Sequence, residues 1–305
     1  MITTFKIDDL NDSLVPPKST NIKKLAIIFA VILAVLGVLV LATWKKDFNP
    51  ADLQAIMSKR LELTRFCSSS KPDFALIEKT YQKGPYKITR WVDDKFKIKM
   101  DLKIQDSLKS GKSGMIPPIN AQIIDLTISR VLWEYFVYHA ENSADVDNLE
   151  RARIAGASLL RHVEDADRNS HLDEKLIYDA KTQLSTNFQQ DVSGHLIKIF
   201  ETGFLLDMLN EMNRAEENEK NLQAFLFHTA RALQFFNILY MKVSQASREN
   251  AVFINGELRK KPEDTNLNEI RSRLKMIFSD LPYMNPDYFI YPPKTVSMNP
   301  PVPPL

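Results

Sequence analysis

The sequence predicts a mainly α protein: a single N-terminal transmembrane helix followed by a multi-helix bundle, with a small β-hairpin near the membrane. Three observations carry this reading. A run of twenty residues from Leu25 to Trp44, LAIIFAVILAVLGVLVLATW, contains no charge. From Ile119 onward, apolar residues recur at helical spacing through one segment after another. Between the two lies KFKIKMDLKIQ, whose strict apolar/polar alternation is the pattern of a half-buried strand.

The uncharged run lies between Lys23-Lys24 and Lys45-Lys46. At about 1.5 Å per residue it spans about 30 Å, the thickness of the hydrocarbon layer. Trp44 would sit at the interface, where its indole N–H stays hydrated. A cleaved signal peptide is the rival reading, with Val40 and Ala42 as the small residues before the cut. The run is longer than the roughly 7–15 residues of a signal's apolar stretch, so a retained anchor is preferred. The flanking lysines balance, so charge does not decide orientation. The short N-terminal tail favours a signal anchor with the C-terminal mass exported, a cytoplasmic domain being the alternative. No Asn-x-Ser/Thr sequon follows Trp44. A bacterial inner membrane with a periplasmic domain is therefore the expected location.

The 305 residues divide into a tail (1–24), the anchor (25–44), juxtamembrane helices and hairpin (45–115), a helical bundle (116–281) and a Pro/aromatic tail (282–305). Apolar residues make up 44% and charged residues 26%, the balance of a folded protein. A net charge of +2 gives no overall field to draw in nucleic acid. Cys67 is the single cysteine, which excludes an intramolecular disulfide and a multi-cysteine zinc site.

After the anchor, Asn49-Pro50 reads as a cap followed by proline at the first helical position, opening a helix to about Phe66. Pro72 starts a second, which Gly84-Pro85 ends. The strand would then place Phe96, Ile98, Met100, Leu102 and Ile104 on one face. Its other face would carry Lys95, Lys97, Lys99, Asp101 and Lys103. Tyr86, Ile88 and Val92 form the candidate partner strand, with Trp91 out of phase. The lysine face reads either as a patch for anionic headgroups or as solvated edge protection, and the latter is preferred. SLKSGKSGM reads as a flexible loop. Its Gly111-Lys112-Ser113 resembles the end of a phosphate-binding loop, but Asp106 stands where the first glycine belongs, so nucleotide binding is not expected.

Five helices follow, over about Asn120–Ala140, Val146–Asp167, Leu172–Leu184, Val192–Met212 and Leu222–Val243, with a charged linker from Arg214 to Lys220. Val252-Phe253-Ile254 before Asn255-Gly256 signals a second hairpin returning over Glu257–Lys260. Thr265 is the expected cap of a last helix bearing Leu267, Ile270, Leu274 and Ile277. Pro282 and Pro286 exclude further helix.

The chain offers little that reads as catalysis. Asp191 with His195, and His162 with Asp165, share helix faces, but two ligands do not make a metal site. There is no Glu-x-x-His pair for a di-iron bundle and no Gly-x-Ser-x-Gly elbow. His228, in FLFHTARALQFF, reads as a core histidine. Trp133, Tyr135, Phe136 and Tyr138, with the phenylalanines between Phe225 and Phe236, read as core rather than as the lining of an apolar pocket. No cofactor is implied. Tyr288, Phe289, Tyr291, Pro300 and Pro303 lie in the tail as candidate partner-binding residues, the prolines being compatible with polyproline II.

The expected function is a non-enzymatic, membrane-anchored helical scaffold or accessory subunit of an envelope complex of the secretion or transport kind. It would bind the lipid bilayer and other envelope proteins, and no nucleic acid. Two alternatives stand beside it: a tethered module holding a lipid or other apolar ligand in its bundle, and an unrecognised hydrolase.

Overall fold

Asn49 has extended backbone, and its side-chain oxygen accepts from the N–H of Asp52 at 2.8 Å. With Pro50 at the first helical position this cap starts α1, Pro50–Cys67, as the sequence predicts. The computed structural model describes residues 47–170, 174–185, 188, 190–282 and 284–290, and all of them from Phe48 belong to one unit. The anchor expected over Leu25–Trp44 lies outside the described residues. Among the described residues, no helix is long and apolar enough to cross a membrane.

Asp73 caps α2, Phe74–Lys83, through two backbone N–H groups, those of Ala75 and Leu76. The expected hairpin near the membrane is absent, and the residues assigned to it form two helices, α3 (Pro85–Phe96) and α4 (Met100–Lys112). The period explains the difference. Ile88, Trp91 and Val92 are buried at helical spacing, so the tryptophan that breaks a strand phase fits a helix. In α4 the buried set is Met100, Ile104, Ser107, Leu108 and Gly111, whereas Leu102, apolar-facing in the strand reading, is 54% exposed. Lys97 turns the chain with φ of 57°, and Asp93 then accepts from the N–H groups of Met100 and Asp101 at 2.6 and 2.9 Å. A carboxylate at a helix start satisfies donors that no earlier turn can reach.

The lysine face disperses with the strand. Lys95 lies 4.3 Å from the centre of the Tyr138 ring, Asp101 accepts from the Tyr81 hydroxyl at 2.9 Å, and Lys103 donates to Gln234. Nor is the expected flexible loop a loop: α4 continues through Gly111, where a Cβ would come 2.1 Å from the Phe74 ring. Only glycine lets these helices approach so closely. Gly111-Lys112-Ser113 thus closes a helix at its C-terminus, the end of the dipole that repels phosphate.

The long helices follow their predicted order as α5 (Pro117–Glu141), α6 (Val146–Ser170), α7 (Glu174–Ser185), α8 (Gln190–Glu217) and α9 (Leu222–Ala246). The charged segment from Arg214 is mostly a continuation of α8. α5 is the hub, touching α1, α3, α4, α6, α8 and α9. α8 and α9 form an antiparallel hairpin in which Glu211 faces Arg231 and Glu201 faces Lys242.

The second hairpin is also helical. Ser247 caps α10, Arg248–Glu257, which buries Ala251 and Ile254 and leaves Val252 62% exposed. A run of three apolar residues reads as strand, but one of them lies on the outer side. Asn266, not Thr265, caps α11, Leu267–Phe278, because the Thr265 hydroxyl donates to the Lys261 carbonyl instead. Eleven α-helices and no strand are present among the described residues.

The apolar residues divide into two clusters. The smaller joins Leu63 and Cys67 of α1, Phe74, Ile77 and Tyr81 of α2, Ile104 and Leu108 of α4, and Ala121, Ile124 and Ile128 of α5. The larger fills the rest of the bundle, where Trp133 meets Phe204 edge-on at 5.5 Å and Phe136 meets Phe200 at 5.3 Å. α5 contributes to both.

Candidate functional site

Polar side chains that face inward from α5 form three groups. The first docks α1. Arg60 and Asp125 are buried and approach at 3.4 Å. The Thr64 hydroxyl donates to Asp125 at 2.8 Å, and Arg60 donates to the Ser129 hydroxyl at 2.9 Å. Both charges are therefore matched within the pair of helices, which is how a buried ion pair is tolerated.

The second group ties α8 to α9. Glu211 is 3% exposed, and its Oε1 lies 3.0 Å from Arg231 and 3.1 Å from Arg214. Its Oε2 is 2.8 Å from His228 Nδ1. Burial alone would raise this carboxyl's pKa, but Arg231, the hydrogen bond from His228 and the charge of Arg214 outweigh it and hold the carboxyl below its ordinary range. An ionised carboxylate only accepts, so Nδ1 is the donor. Arg231 also donates to Gln122 of α5 at 2.9 Å, and Gln122 donates to the carbonyl of Cys67. One connected network thus runs from α8 through α9 and α5 to the end of α1.

The third group lies where α4, α5 and α9 meet, and it is built differently. Lys103 of α4 is half-buried and donates to the side-chain oxygen of buried Gln234 on α9. Among the described residues no carboxylate pairs with it. Burial, then the charges of Arg130 and Arg259, push its pKa down to about 8. Arg130 of α5 forms an ion pair with Glu134 at 3.7 Å. Burial lowers the Arg130 pKa and raises that of Glu134, so neither charge is well solvated. Gln234 also lines a shallow depression with Ile119, Ile123 and Phe227, too tight to admit a water-sized sphere.

The candidates named from the sequence are scattered. Leu25, Trp44, Tyr291, Pro300 and Pro303 lie outside the described residues. Phe289 is 1% exposed and packs with half-buried Tyr288 on the larger core, against α8 and α11. The Thr202 hydroxyl of α8 fixes the start of that segment by donating to the Pro282 carbonyl at 3.0 Å. His195 is exposed, His228 belongs to the Glu211 network, and the side chains of His162 and Asp165 lie outside the described set. Among the described residues, no three His, Cys, Asp or Glu side chains gather to hold a metal. Trp133, Tyr135 and Phe136 are buried in the core. Cys67, beside the run Ser68–Ser70, is 2% exposed because it packs in the smaller cluster.

Sequence reasoning placed Lys103 on the lysine face of a strand and did not find Arg130 or Gln234. The helical period held a signal: Lys103 lies between Met100 and Ser107 at i−3 and i+4, both buried, so it flanks the inward side of α4.

The described residues thus define a mainly α helical bundle with a filled apolar interior. No family model, no curated protein and no solved structure matches the chain.

Proposed function

We propose that this protein is a membrane-anchored helical scaffold, an accessory subunit of an envelope assembly, which presents its bundle to other proteins from one side of a bacterial inner membrane. The observation that carries the reading is the uncharged run from Leu25 to Trp44 placed just ahead of a folded helical domain. A span of this length holds the domain at the bilayer essentially irreversibly, which suits a protein whose work is to be in a particular place. The interlocking of Trp133, Phe136, Phe200 and Phe204 supports surface recognition over a lipid held inside the bundle, because these rings occupy the centre of the bundle. The segment Tyr291–Leu305, rich in proline, follows Phe289 and Ile290 in the chain and is the segment we assign to recognition by a partner.

The test is extraction of the full chain in mild detergent and identification of what accompanies it. A protein partner in fixed ratio supports the scaffold. A bound lipid in fixed ratio, without protein, favours the tethered lipid-binding module. Release of the full chain from membranes by alkaline carbonate would refute the anchor.

A further inference from the structure

We propose that the turn between α3 and α4, built on Phe96 with Lys95, Lys97 and Lys99, docks on the anionic headgroups of the bilayer, an inference that rests on the anchored reading above and names the surface of the domain that meets lipid.

A file of rings leads from the start of the bundle to this turn. Phe48 lies 6.3 Å from Tyr135, Tyr135 lies 4.9 Å from Trp91, and Trp91 lies 6.5 Å from Phe96. In the sequence, Phe48 follows Trp44 after Lys45, Lys46 and Asp47. Four residues of chain reach at most about 14 Å. The end of the bundle that carries Phe96 is therefore the end to which the uncharged run is tethered.

The turn itself is basic. Lys103 points inward to Gln234, but three of the six residues from Asp94 to Lys99 are exposed lysines. The acids on either side of them are engaged by the fold: Asp93 accepts from the N–H groups of Met100 and Asp101, and Asp101 accepts from the Tyr81 hydroxyl. Phe96 is 38% exposed although its ring also meets Tyr138. A single exposed phenylalanine means little. An aromatic ring between lysines, however, suits the boundary of an anionic bilayer, with the ring among acyl chains and the ammonium groups at phosphate level. Lys97 also holds a left-handed φ of 57°, a helix-ending position that suits glycine best. A lysine thus stands at the tip where backbone preference alone would select against it.

The neighbouring turn limits the contact. Tyr138 lies in the last turn of α5, and beyond it Glu141, Asp145 and Asp147 are exposed. Anionic lipid repels that side, so the bundle meets the bilayer by the α3–α4 edge, and the contact orients it.

The full chain is reconstituted in discs of phosphatidylcholine and in discs that also contain phosphatidylglycerol. Its lysines are acetylated with a small neutral reagent, and each site is followed by mass spectrometry. Lys95, Lys97 and Lys99 are expected to react about threefold or more slowly in the anionic discs, while exposed Lys220 at the α8–α9 turn keeps one rate. In about 1 M salt, where the screening length falls to about 3 Å, the difference should vanish. Phe96→Glu is expected to return the three lysines to their neutral-disc rates. Lys95→Gln with Lys97→Gln, which alters exposed positions only, should do the same at Lys99. Equal rates in the two kinds of disc overturn the proposal, and so does protection that both variants retain. Release of the chain by alkaline carbonate is a separate result, which refutes the anchor alone. The turn is then judged by sedimentation of the chain with phosphatidylglycerol vesicles and not with phosphatidylcholine vesicles, and a chain that sediments with neither overturns it.

Discussion

The two flanks of α5 treat buried charge in opposite ways. Toward α8 and α9, one buried carboxylate, Glu211, is ringed by Arg231, Arg214 and His228. Toward α4, Lys103 donates to the neutral amide of Gln234, and Arg130 pairs with Glu134 at 3.7 Å. The first arrangement is complete within the chain and fixes helix to helix. The second sets a half-buried lysine against a neutral amide in place of a carboxylate. The contrast teaches that burial of an ionic group is informative only together with its partners: a shared carboxylate ties helices by charge, whereas an amide holds an ammonium in place without neutralising it.

The contrast can be broken most sharply at Glu211. Glu211→Ala leaves two guanidinium groups and a histidine facing one another in the core, and is expected to cost about 3–5 kcal/mol, the range for removing one member of a buried ion pair. Thermal or denaturant unfolding checks this; a loss under about 1 kcal/mol would mean that the network does not hold α8 to α9. The same carboxyl sets an acid limit. Its folded pKa is depressed, so its contribution is present above the ordinary glutamate range and is lost as pH falls through the folded value. Glu211→Gln should flatten that part of the stability profile.

Next in size is a test of whether the α4 flank is merely loose. It is tightly packed at Gly111, so Gly111→Ala should push the Phe74 ring aside and cost about 1–3 kcal/mol, seen as a lower unfolding midpoint. An unchanged midpoint would show the flank to be pliable.

The smallest effect is a pH signature of Lys103. Its folded pKa is lowered to about 8, against an ordinary value of 10.5 in the unfolded chain. Between these values the unfolded state binds more protons, so stability rises with pH across that window. Tyr81 works against this at the upper end: its pKa is raised, first by burial, so that unfolding is favoured above the ordinary tyrosine range near 10. The slope is therefore expected between pH 8 and about 10, and Lys103→Met should abolish it. A wild-type profile without that slope would place Lys103 in water.

How much of this was legible in the sequence varies with distance along the chain. Asn49-Pro50 marked a helix start by local chemistry alone, and the long helices from Pro117 to Ala246 declared themselves by repeated apolar spacing. Residues 85–112 misled because an alternating run and a helical run share Met100 and Ile104, and only Trp91 before them and Leu108 after them separate the two periods. Thr265 and Asn266 are both good caps, and which one serves depends on a carbonyl at Lys261. The polar networks were not legible. Glu211 and His228 are seventeen residues apart, and Lys103 and Gln234 are separated by 131, so their meeting is a property of the packed bundle.

The enclosure of Cys67 has one further consequence. The sole thiol of the chain is sealed between the end of α1 and the smaller cluster, with the backbone carbonyl of its residue engaged by Gln122. A thiol in that position reacts only when the seal opens, so the rate at which a small disulfide reagent consumes it measures the frequency of that opening. Rates that saturate with reagent report the opening step itself, and rates proportional to reagent report its equilibrium. The native chain thus carries a clock for the breathing of one helix pair, readable without any added label.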